Sequence, residues 1–147
     1  MTHLAFATCE AWPDLTPSDR RAAEVLRARG VTVTPAIWND RTVEWGEFDR
    51  VIVRSPWDYF RHQADFTAWL DRLDEVEAVV ENPTAVLRWN LDKVYLRELE
   101  RRGVTLVPTH WMDQGATADL GRVLRDRRWE HAVVKPTVSA GAANTWV

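Results

Sequence analysis

Val51-Ile-Val-Arg-Ser-Pro-Trp-Asp-Tyr59 joins a short β-branched run to a loop dense in charge and aromatic rings. An unbroken apolar run of this kind reads as a strand buried on both faces, and such strands belong to parallel sheets covered by helices. On its N-terminal side, Leu4 to Thr8 is a short apolar run and reads as a first strand. Thr16-Pro-Ser-Asp19 then marks a helix start, with a hydroxyl cap, proline at the first helical position and a carboxylate three residues on. Ala22, Val25 and Leu26 form that helix's apolar stripe, and Gly30 is placed to end it in a left-handed conformation. Val31-Thr-Val-Thr34 reads as the second strand.

On the C-terminal side, Phe66, Trp69, Leu70 and Leu73 recur at helical spacing and mark a second helix. Val79-Val80 reads as a fourth strand, and Asn82-Pro83 opens a helical turn to about Arg88. The order β-α-β-β-α-β predicts an α/β fold with a mainly parallel sheet. After Asn90 the pattern changes. Leu91, Val94, Tyr95 and Leu99 predict one helix, capped by Asn90 and closed by Gly103. Val104 to Trp111 reads as extended, Leu120, Val123 and Leu124 as a further helix, and Ala132 to Lys135 as a strand. A boundary near residues 82–90 divides the chain into regions 1–89 and 90–147. The second region has few elements for a covered lobe, which predicts a piece that is truncated or completed by a partner.

Composition limits the functional classes. The 147 residues carry 46% hydrophobic side chains and a net charge of −3, which gives no basic footprint for nucleic acid. Arg122, Arg125, Arg127 and Arg128 read as the solvated face of a helix. The lone Cys9 leaves no internal disulfide, and no segment is apolar enough for a signal peptide or a bilayer span, so a cytoplasmic protein without membrane partners is expected. Nine tryptophans are a heavy load, and burial in a core would account for most of them. The four histidines show no metal-ligand spacing, and Cys9 has no identifiable base.

Three segments carry the candidate chemistry. The chain has seventeen arginines and two lysines, Lys93 and Lys135. An ammonium differs physically from a guanidinium, so two isolated lysines suggest two phosphate contacts, against chance in a biased composition. Lys135 precedes Pro-Thr-Val-Ser-Ala-Gly-Ala, where small side chains let a backbone approach an anion. That stretch matches no standard phosphate-binding fingerprint and reads equally as a flap or as an ordinary hairpin turn. Lys93, placed in a first helical turn, would sit against the macrodipole unless a phosphate bound nearby, the alternative being a tolerated surface lysine. The third segment is Arg54 to Tyr59, at the carboxyl end of a strand, where open α/β sheets bind ligands. There Arg54 would grip a carboxylate, Ser55 is held extended by Pro56, Asp58 would hold an amine, and Trp57 or Tyr59 would wall the pocket. The plainer reading is a rigid turn anchored by Trp57.

Taken with Asn82-Pro83, Arg88-Trp-Asn-Leu-Asp-Lys93, Val107-Pro-Thr109 and Val133-Val-Lys-Pro-Thr-Val-Ser-Ala-Gly-Ala142, these segments resemble the N-terminal part of ATP-grasp ligases. The similarity is to the glutathione-synthetase/RimK-like group, nearest the O-ureido-serine cyclo-ligases of cycloserine biosynthesis. It implies a Rossmann-like pre-ATP-grasp domain on the substrate side, followed by the incomplete start of an α+β ATP-grasp lobe. It implies ATP and Mg²⁺ as cofactors, and a small carboxylate-bearing substrate of amino-acid type. The carboxylate would be phosphorylated and attacked by an amine or a ring-closing nucleophile. By the same resemblance Lys93, Lys135, Ser139, Ala140 and Gly141 would bind ATP, and Arg54, Ser55, Trp57, Asp58 and Tyr59 would face the substrate. The Mg²⁺ ligands would lie past Val147, so the intact parent would be the enzyme and this piece alone inactive. A non-catalytic α/β module that binds a small acidic ligand is the alternative.

Overall fold

A computed structural model describes all 147 residues. The chain divides into two compact units, Met1–Leu91 and Asp92–Val147. The first unit is an α/β domain built on a four-stranded parallel sheet, and the whole chain has five α-helices. Its strands are β1 (His3–Thr8), β2 (Thr32–Ile37), β3 (Arg50–Val53) and β4 (Val80–Glu81), in the order β2-β1-β3-β4. β1 pairs in parallel with both β2 and β3, and β3 pairs with β4.

Strand alternation explains why both faces are apolar. Ala5 and Ala7 of β1 and Val51 of β3 point to one side, where Phe66, Trp69, Leu70 and Leu73 of α2 (Gln63–Glu75) cover them together with Trp38 and Trp45. Leu4 and Phe6 point the other way, onto Ala23 of α1 (Pro17–Ala28) with Leu15 and Val33. The two helices therefore lie on opposite faces, the arrangement that a sheet buried on both sides requires. α1 starts as its sequence dictates: the Thr16 hydroxyl accepts from the Asp19 backbone N–H at 3.2 Å, with Pro17 behind it. α3 (Thr84–Asn90) is tied back to α2 by Arg88, which pairs with Asp71 at 2.7 Å and Asp74 at 3.0 Å, and by the Thr84 hydroxyl donating to Asp74.

Several expectations need correction. β2 runs three residues beyond Thr34, through Pro35, because β2 is an edge strand where a missing N–H costs little. Of the nine tryptophans only Trp38, Trp45 and Trp69 are buried; Trp12, Trp57, Trp89 and Trp146 are exposed. Asn90 caps nothing. It is the last residue of α3, and the next helix, α4 (Tyr95–Arg101), begins only after Val94. Lys93 therefore lies in a turn before α4 and not in a helical first turn.

The second unit contains α4, α5 (Leu120–Arg127) and a hairpin arm. The Asp119 carboxylate caps α5 by accepting from Arg122 N–H at 3.0 Å, and Arg128 closes it in the left-handed region. Ala132 to Lys135 forms no full strand; a single antiparallel bridge joins Val134 to Trp146. Val104 to Trp111 pairs with no strand. No residue of this unit is buried.

Candidate functional site

In the first unit the sheet order reverses between β1 and β3: β2 lies beyond β1 on one side, and β4 beyond β3 on the other. The loops that leave such a pair diverge and open a crevice at the carboxyl ends of the strands. A hollow lies there, lined by Cys9, Ala11 and Trp12 after β1 and by Trp57, Asp58, Phe60 and Arg61 after β3. Its walls carry three aromatic rings, two small side chains, one carboxylate and one guanidinium.

Hydrogen bonds fix the post-β3 loop. Arg54 and Ser55 both donate from their backbone N–H to the Ala7 carbonyl, at 3.1 and 3.0 Å. The Arg54 side chain donates to Asp19 in the first turn of α1, with Nε at 2.8 Å and a terminal nitrogen at 2.6 Å from Oδ1. The Ser55 hydroxyl, fully buried, donates to the other oxygen of the same carboxylate. Burial alone would raise the pKa of Asp19. The hydrogen bonds from Ser55, Arg54 and Thr16 and the charge of Arg54 outweigh it, and the carboxyl sits below its ordinary value. The positive end of the α1 dipole acts in the same direction.

The five residues expected to face a substrate thus separate. Trp57 and Asp58 line the hollow, with Trp57 half exposed. Asp58 also accepts from the indole N–H of buried Trp38 at 2.7 Å, which orients its carboxylate. Arg54 does grip a carboxylate, but that of Asp19, and Ser55 shares it. Tyr59 packs its ring on Phe66 at 5.4 Å, and burial raises its phenol pKa. Trp12, Phe60 and Arg61 also belong to the hollow, and Phe60 and Arg61 carried no distinguishing mark in sequence. For Trp12, the signal was its position just past the first strand.

The second candidate cluster lies in the second unit. Lys93 donates from its ammonium to the Thr137 carbonyl at 3.1 Å and to the Ser139 carbonyl and hydroxyl at 3.0 Å each. Its backbone N–H donates to the same Thr137 carbonyl at 2.9 Å. Desolvation lowers the pKa of Lys93, and the charge of Lys135 lowers it further, while Asp92 opposes both. Past Ser139 the chain reverses through Gly141, Ala142 and Asn144, all with φ between 53° and 58°, and the Val134–Trp146 bridge closes the arm. Gly141 suits that reversal, since a left-handed φ costs it nothing and its surroundings are open. The stretch expected as either flap or hairpin turn is a hairpin arm in geometry, with one lysine holding its base.

No group of three or more His, Cys, Asp or Glu residues comes together. A hard divalent cation needs several oxygen ligands, so these residues do not fit a magnesium site. No helix is long and apolar enough to cross a membrane.

Comparison with known proteins bears on the fold and the family. The family model described as D-cycloserine synthetase DcsG, N-terminal domain, matches residues 4–82. The cycloserine biosynthesis protein DcsG of Streptomyces lavendulae is 38% identical over 95 residues, covering 65% of this chain and 31% of that protein. The crystal structure of D-cycloserine synthetase DcsG superimposes with a TM-score of 0.83 at 32% identity, over 97% of this chain and 49% of that one. The chain thus spans about half the length of the solved relative and about a third of the curated one. With more than half of its residues inside the family model, the chain belongs to the family of the DcsG N-terminal domain.

Proposed function

We propose that this chain is the N-terminal part of an ATP-grasp ligase, with the first unit facing the substrate and the second opening the ATP-binding lobe. The observation that carries the proposal is the small-residue arm that follows exposed Lys135 and is bonded at Thr137 and Ser139 by the Lys93 ammonium, in a relative of a D-cycloserine synthetase. Small side chains let a backbone approach an anion, and an exposed ammonium attracts one. A polyphosphate tail is an anion of suitable charge and length. The absence of any buried residue from the second unit supports a lobe completed by further chain. Val107, Val133 and Trp146 are each more than half exposed there.

In the proposed reaction the γ-phosphoryl group of ATP passes to a substrate carboxylate oxygen, releasing ADP. The acyl phosphate is then attacked by an amine or by a nucleophile of the same molecule. The new C–N bond forms as the C–O bond to phosphate breaks, and the nucleophile loses its proton. Lys135, with Ser139, Ala140 and Gly141, would meet the phosphates. Trp57 and Asp58 would meet the substrate, where Asp58 suits a cationic amine and the aromatic walls suit its carbon skeleton. Arg54, Ser55 and Tyr59 would support that surface from behind. The proposal assigns no magnesium ligand to these residues and expects this piece alone to be inactive. In the full-length protein, Lys135→Ala should abolish substrate-dependent ADP release. Undiminished turnover would overturn the assignment of Lys135.

A further inference from the structure

Two carboxylates flank the loop after β3, and they are held in opposite ways. Asp19 accepts from Arg54 at one oxygen and from Ser55 at the other, so its charge is answered and both oxygens are occupied. Asp58 accepts from a single donor, the indole N–H of Trp38, at 2.7 Å on Oδ1. Its side chain does not cap the turn that follows and joins no ion pair. A neutral donor fixes the direction of a carboxylate and leaves its negative charge unanswered. Asp58 lines the hollow together with the rings of Trp12, Trp57 and Phe60. Arg61, the guanidinium of the same hollow, lies over the Phe60 ring at 5.4 Å.

Trp38 is built to set that direction. It follows the end of β2, and its backbone N–H donates to the Thr8 carbonyl of β1 at 2.9 Å. Its ring is fully buried, edge-on to Phe66 at 5.2 Å and tilted against Trp69 at 6.1 Å. A ring packed this closely has one orientation for its N–H. Burial alone does not explain the pairing, because Trp45 and Trp69 bury their indole N–H groups in the same core with no protein partner.

We infer that Trp38 is a positioning residue: its indole N–H holds Oδ1 of Asp58 so that the other oxygen is offered to the ammonium of a ligand in the hollow. The inference rests on the reading of Asp58 as the amine partner given above, and it names the group that aims it. Trp38 itself does not line the hollow and acts only through Asp58. A ligand with a primary amine would meet a carboxylate of fixed direction between aromatic walls, both of which attract a cation. Binding would not have to freeze that carboxylate, an ordering cost that otherwise weakens a new contact.

The test uses the full-length protein and D-cycloserine, a small ring with one primary amine, beside the same ring lacking the amine. Trp38→Phe keeps an aromatic ring in the core and removes the N–H. It should weaken D-cycloserine binding about fivefold by calorimetry, and Asp58→Ala about tenfold or more, as the loss of a charge-assisted bond implies. In the Asp58→Ala background, Trp38→Phe should add less than a factor of about two, because nothing is left to aim. The amine-free ring should bind the wild type no better than D-cycloserine binds Asp58→Ala. Losses that add in the double variant overturn the inference and leave the amine reading standing. So does an unchanged Kd in folded Trp38→Phe while Asp58→Ala binds weakly. If D-cycloserine does not bind the wild type, or binds Asp58→Ala equally well, the amine reading falls and the inference with it. Thermal melting reports whether each variant is folded. If Trp38→Phe is not, the wild-type indole signal decides. In ¹⁵N-tryptophan-labelled protein, the Trp38 N–H is identified by its shift in Asp58→Ala. That signal should move when D-cycloserine is added, since hydrogen bonds on one carboxylate polarise each other. A Trp38 signal unmoved by saturating D-cycloserine overturns the inference.

Discussion

Asp19 shows how a single residue links the architecture to the candidate site. It sits in the first turn of α1, is almost wholly buried, and accepts from Arg54 and Ser55 just past the carboxyl end of β3. Replacing it with alanine leaves the buried Ser55 hydroxyl without its acceptor and frees the Arg54 guanidinium. Asp19→Ala should cost about 2 kcal/mol or more in urea denaturation, since breaking a buried charged network is worth at least that. Much of the Arg54 side chain is in water, so Arg54→Ala should cost less. The pH dependence has a definite sign. The Asp19 carboxyl lies below its ordinary 3.8 in the folded state, so its stabilisation is complete above that value and is lost as pH falls through the folded one. Asp19→Asn should therefore unfold with a shallower dependence on acid. The sequence announced Asp19 only as a helix-start carboxylate. Its true partners are 35 and 36 residues away, and a distance of that kind along the chain is not encoded in any local pattern.

At the scale of elements, local physics was legible where it was strong. The Thr16-Pro17 start, the Phe66–Leu73 stripe and the β-branched core of β3 each predict the element found. Thr16→Ala should cost about 1 kcal/mol by thermal or urea unfolding, the usual value of a capping hydroxyl. Elements were misread where tertiary context overrode the local signal. The second strand was read only to Thr34, yet on an edge strand Pro35 takes part in the pairing with β1. Asn90 looked like a cap, yet α3 runs through it and the chain turns before α4, where the backbone of Lys93 bonds the hairpin arm 44 residues later. The candidate hollow was half legible. The loop after β3 stood out by composition, and Cys9 by following the first strand, whereas Trp12 joined the hollow only once the parallel pairing of β1 and β3 brought the two loops side by side.

At the scale of the whole molecule, the two units differ in kind. The first buries its apolar residues on both faces of a sheet and carries a hollow at the sheet's switch point. The second buries none and concentrates its polar contacts where Lys93 meets the arm. The central claim is that Lys135 and the arm beside it meet the phosphates of ATP. Its most direct test is equilibrium binding of ATP to the full-length protein, comparing wild type with Lys135→Ala at low and moderate salt. Loss of a charge-assisted phosphate contact worth about 1.5–3 kcal/mol predicts a Kd weaker by roughly tenfold or more, with the gap narrowing as salt rises. Equal affinity of the two proteins at both salt concentrations would contradict the account.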